Sequence, residues 1–76
     1  MSLKKIKLII EELKSKGFVN EVTKEELEKA IMKIGGIHWQ TRKNYFQVMT
    51  KLGYIKPKVI ENGEVKVYEL KTSVVS

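Results

Sequence analysis

The sequence predicts an α+β fold of three helices, one short strand and a C-terminal β-hairpin. Three observations carry this expectation. Apolar residues recur at spacings of three and four within residues 3–13, 27–34 and 39–52, as on the buried side of a helix. Glycines stand just past each run, at Gly17, Gly35–Gly36 and Gly53. Asn62-Gly63 then joins two β-prone runs, and that pair signals a two-residue hairpin loop because both residues tolerate positive φ.

Ser2 can cap the first helix, whose inner stripe is Leu3, Ile6, Ile10 and Leu13, widened by Ile9. Leu8 falls on its outer side. Gly17 supplies the left-handed residue that ends it. The run 18–22 is short, alternating and β-prone, enough for one small strand. Thr23 and Glu26 then form a capping box, with Val22 and Leu27 at the two positions of a hydrophobic staple. Leu27, Ala30, Ile31 and Ile34 make the buried stripe of helix two, and Glu25 is spaced to pair with Lys29.

The third helix is expected over 38–52. At ~100° per residue, Trp39, Arg42, Phe46 and Met49 share one side, flanked by Tyr45 and Leu52. Trp39, Tyr45 and Tyr54 are therefore assigned to packing. Gln40, Asn44, Gln47 and Lys51 occupy the opposite side, with Lys43 on its edge. In the hairpin, a two-residue loop sets Ile60 opposite Val65, Val59 opposite Lys66 and Pro57 opposite Tyr68. Ile55, Val59, Tyr68 and Leu70 then face the helices, and Pro57, lacking an N–H, suits an edge strand. Residues 1–71 are expected to form one domain, with 72–76 a frayed tail.

A chain of 76 residues holds one domain at most. No apolar run approaches the ~18 residues of a membrane span, and the N-terminus has no signal-peptide pattern. Without cysteine there are no disulfides or thiolate metal sites. His38 is the only histidine, expected to cap helix three or donate to a phosphate rather than hold zinc. No nucleophile–base pair, carboxylate dyad or glycine-rich phosphate loop is present. The expectation is a cytoplasmic protein that needs no cofactor and is not an enzyme.

The net charge is +6, and all nine acids are glutamate. Six lysines balance six glutamates in residues 1–28, whereas residues 29–60 hold seven basic residues and no acid. Such segregation points to a polyanionic partner.

The order helix, strand, helix, tight turn, helix, hairpin resembles the winged helix-turn-helix DNA-binding domain over residues 3–71. The most specific part is residues 41–55. Thr41, Tyr45, Phe46, Met49, Leu52, Gly53, Tyr54 and Ile55 look like the recognition helix and first wing strand of small bacterial and archaeal transcription regulators. The resemblance implies a sequence-specific double-stranded DNA-binding protein, associated with the nucleoid, whose helix 38–52 reads the major groove beside a hairpin wing. A reading face without acids fits this, since carboxylates are repelled by phosphates and lysines release condensed counterions.

Glutamine and asparagine can bond adenine edges and lysine can reach guanine. Gln40, Lys43, Asn44 and Gln47 are accordingly the candidates for base contact. Lys51, Lys33, Lys58 and Lys66 are the candidates for phosphates. Thr41 and Arg42, in the first turns of the helix, complete the set. Arg42 stands where the family has an aliphatic residue, so its stem is expected on the core and its head outward, within reach of a phosphate. Glu61 and Glu64 make the hairpin tip acidic, so the wing is expected to touch the backbone through its lysines, or not to insert. The alternative is a winged-helix module that binds protein within a larger assembly, marked by an exposed apolar patch. Binding to RNA, or to nucleic acid without sequence preference, comes third. The chain either acts as a monomer or forms a homodimer through helix one, the second being preferred.

Overall fold

The computed structural model describes residues 3–71; the cap expected at Ser2 and the tail at 72–76 lie outside them. Six elements follow in order: α1 (Leu3–Ser15), β1 (Glu21–Thr23), α2 (Lys24–Gly35), α3 (Trp39–Lys51), β2 (Ile55–Glu61) and β3 (Glu64–Leu70). The strands form one antiparallel sheet in the order β1-β3-β2. The result is α+β, three helices with a three-stranded sheet, compatible with the layout expected from sequence.

Both α1 and α3 stop by the same device. Phe18 N–H donates to the Leu13 carbonyl at 3.0 Å and Gly17 N–H to Lys14 at 2.9 Å. In α3, Tyr54 donates to Met49 at 2.9 Å and Gly53 to Thr50 at 3.1 Å. This Schellman pattern satisfies the last carbonyls only if the residue after the cap is left-handed, and φ is 93° at Gly17 and 86° at Gly53. The aromatic residue after each glycine then turns back toward the core, where Phe18 is partly buried and Tyr54 fully.

At the start of α2, Thr23 Oγ accepts the Glu26 N–H at 3.3 Å. The Glu26 carboxylate meets Lys29 at 3.6 Å, so Lys29 pairs three residues back rather than with Glu25. Both spacings bring side chains together on a helix surface, and here the shorter one is used. Val22 and Leu27 are both buried, as a staple requires.

The far end of α2 touches α3 closely. A Cβ added at Gly35 would lie 2.5 Å from Tyr45 Cε2, so a bare backbone is what lets the tyrosine ring pack there. Ile6, Ile9, Ile10, Leu13, Leu27, Ile31 and Met49 form the enclosed centre, covered on the sheet side by Ile55, Tyr68 and Leu70.

The hairpin turns at Asn62-Gly63 with φ of 53° and 75°, the double positive φ of a type I′ turn. Ile60 pairs with Val65 and Pro57 with Tyr68, as expected, but Val59 pairs with Val67 instead of Lys66. One extra residue in each strand, Lys58 in β2 and then Lys66 in β3, displaces the register and restores it. The disturbance turns Val59 outward, 39% exposed, away from the face it was expected to share with Ile55, Tyr68 and Leu70. Pro57 lies in β2, an edge strand, as expected for a residue without an N–H.

Candidate nucleic-acid interface

The inner side of α3 centres on Tyr45 and Met49, both buried, with Phe46 and Val48 partly buried beside them. The expected stripe through Trp39, Arg42, Phe46 and Met49 is therefore rotated by roughly 60° from the real one, taking 100° per residue. Trp39 is the main casualty. It is 59% exposed, its ring touching His38 at 6.4 Å between centroids. Leu52, expected to flank the stripe, is also half exposed at the helix end. His38 caps the helix, its Nδ1 accepting the Gln40 N–H at 3.3 Å.

The outer side carries Gln40, Lys43, Asn44, Gln47 and Lys51, all exposed, while Thr41 is partly buried on the opposite flank from Trp39. Among the described residues none of the three amide side chains is held by another side chain. Nor does any carboxylate of those residues come within 4.0 Å of Lys43 or Lys51.

The other candidate cations are engaged. Arg42 Nη1 donates to Glu28 at 3.0 Å and to the Met32 sulfur at 3.6 Å, and its Nε is enclosed without an acceptor. Its head, expected to point outward, is turned to α2 instead, and its side chain is only partly exposed. Lys33 bonds Glu12 of α1 at 3.1 Å, Lys58 bonds Glu21, and Lys66 bonds Glu64 at 3.2 Å. Of the seven basic residues in the acid-free stretch, Lys29, Lys33, Arg42 and Lys58 thus pair with glutamates from residues 1–28. Segregation along the chain becomes mixing in space. Among the described residues, Lys43, Lys51 and Lys56 stay unpaired, the first two on the outer side of α3.

Lys24, which the sequence did not single out, links α2 to the hairpin tip by bonding Glu64 at 3.1 Å. That bond raises the Lys24 pKa, and with the one from Lys66 it holds the Glu64 carboxyl below the usual carboxylate range. Glu21 likewise raises Lys58, and Lys33 lowers Glu12. Beside them, Lys24, Glu28, Trp39, Arg42, Lys43, Phe46 and Gln47 line a shallow groove of about 470 Å³ between the start of α2 and α3. A second groove of about 420 Å³, along Phe46, Gln47, Thr50, Lys51 and Tyr68, continues it toward β3. Phe46 and Tyr68, 5.5 Å apart, join the two elements beneath.

Among the described residues no group of histidine, aspartate or glutamate is placed to hold a metal ion, and no helix is long and apolar enough to cross a membrane. No protein-family model, curated protein or solved structure matches this chain.

Proposed function

We propose that this chain is a winged helix-turn-helix protein that binds double-stranded DNA sequence-specifically and regulates transcription. In this reading α2, the turn at Gly36–His38 and α3 are the helix-turn-helix, and β2–β3 is the wing. What supports it above all is the outer side of α3, where three amides and two ammonium groups stand together without side-chain partners among the described residues. Amides read base edges and unpaired lysines exchange water and counterions for phosphate, so the set suits a major groove. Glu64, tied to Lys24 and Lys66, keeps the hairpin tip against α2, which suits a wing lying along the backbone rather than inserted.

Selection of bound sequences from random duplex DNA, followed by salt titration, tests the reading. Gln47→Ala is expected to relax preference at one position, costing ~1–3 kcal/mol on the best site. Lys51→Ala is expected to weaken all duplexes alike and to reduce the salt slope by about one. If both variants bind like the wild type, α3 is not the reading helix.

A second reading, a protein-binding module, is favoured by Val59 and Ile60, 39% and 61% exposed on the outer strand. Binding to no duplex in the pool, together with a partner lost on Ile60→Lys, would select it. Leu3 and Leu8 are both exposed on α1 but lie roughly 140° apart around it, at 100° per residue, so they form no continuous stripe for a second copy.

A further inference from the structure

We infer that Trp39 is a specificity-determining contact, its indole lying against thymine 5-methyl groups in the major groove. The inference rests on the DNA-binding reading above and names what one part of that surface recognises.

Ile37 and Trp39 are 80% and 59% exposed at the entry to α3. Within the helix, Trp39 is one turn before Lys43 and about 40° from it around the axis, at 100° per residue. It therefore borders the side that carries Gln40, Lys43 and Gln47, and it forms one end of the groove between α2 and α3. The core makes no use of this ring. Its recorded aromatic neighbour is His38, itself exposed.

Charge narrows the partner. Of the three cations lining the groove, Lys24 is bonded to Glu64 and Arg42 to Glu28, the one acid in the lining, which leaves Lys43 as its unpaired charge among the described residues. A polyanion is favoured, and the neighbouring amides match base edges. When a helix lies in a major groove, its N-terminal residues are those that reach the base edges. The surface there offers phosphate oxygens, polar base atoms and a single apolar group, the thymine methyl. An indole has one N–H donor and no acceptor, so its ring finds an apolar partner only at that methyl.

Trp39 is the sole tryptophan, so its fluorescence reports on this contact alone. Duplexes selected by the full chain are remade with deoxyuridine replacing thymidine one position at a time, which deletes the methyl and leaves pairing intact. Wild type is expected to lose about fourfold in affinity at one or two positions, the worth of burying one methyl-sized group. Trp39→Ala is expected to bind the parent duplex roughly tenfold more weakly and to become indifferent to the same replacements. Trp39→Phe, which keeps an apolar ring, should retain part of that sensitivity. Emission should shift to the blue and resist acrylamide quenching when duplex is added, and circular dichroism melts of the variants should match wild type. Tight binding by a wild type indifferent to every deoxyuridine overturns the inference and leaves the proposed function standing. So does a Trp39→Ala protein that keeps its methyl sensitivity, or an emission unchanged in the complex. Failure of wild type to bind any duplex removes the DNA-binding reading itself.

Discussion

Arg42 shows how one residue's surroundings decide its role. Its Nε is enclosed with no acceptor, which costs about 1–3 kcal/mol, and the bond to Glu28 offsets part of this. Glu28 is itself one-third exposed and can return to water if its partner is removed. Arg42→Leu should therefore change stability by no more than about 1 kcal/mol in thermal melts, since a partly exposed pair is worth little. Arg42 already has a counterion in the protein, so the same variant should leave the salt slope of DNA binding unaltered. A slope reduced by one would mean that Arg42 exchanges Glu28 for a phosphate. The sequence led to the expectation that Arg42 rests its stem on the core and carries its head outward. It did not reveal Glu28, because that contact depends on how α2 and α3 cross.

Between elements, the tightest constraint is Gly35 against Tyr45. Gly35 does not have positive φ, so alanine would fit its backbone and gain up to ~1 kcal/mol of helix propensity. The added methyl would nevertheless meet the ring of the buried Tyr45 at 2.5 Å, so the ring or the helix must shift. With overpacking costing ~1–3 kcal/mol, Gly35→Ala should destabilise the protein by about 1–2 kcal/mol in urea unfolding. It should also weaken DNA binding, because the entry to α3 is displaced. The sequence marks Gly35–Gly36 as a helix stop, and Gly36 with φ of 120° fills that part. That Gly35 is a contact point rather than a breaker emerges only from the packed helices. The same limit explains Trp39. Helical periodicity extends a buried stripe to the end of a helix, but the first turn of α3 projects past the elements that would cover it.

At the scale of the molecule, the electrostatics fix a sign for pH dependence. Glu64, Glu12 and Glu69 each have a folded-state pKa lowered, chiefly by hydrogen bonds from Lys24, Lys33 and Lys71. A lowered folded pKa means stability that is present above the ordinary carboxylate value and lost as pH falls through the lowered one. The melting temperature should therefore be flat from neutral pH to about 5 and decline below it. Glu64→Gln should lessen the decline, as should about 1 M NaCl, since these pairs are exposed and screened. A melting curve that rises on acidification would contradict these pairings.

By itself the sequence determined the three helices, the order of the elements, the Schellman stops at Gly17 and Gly53, the hairpin turn and the polar side of α3, while the strand expected over 18–22 formed at Glu21–Thr23. Each of these depends on local backbone preference or on periodicity within one element. Tertiary structure alone decided which cations remain unpaired, where the buried stripe of α3 is centred, how Val59 turns outward, and that Trp39 faces water. Those outcomes depend on atoms distant in the chain, whose meeting is set by how helices cross and strands slip, and no local spacing encodes that.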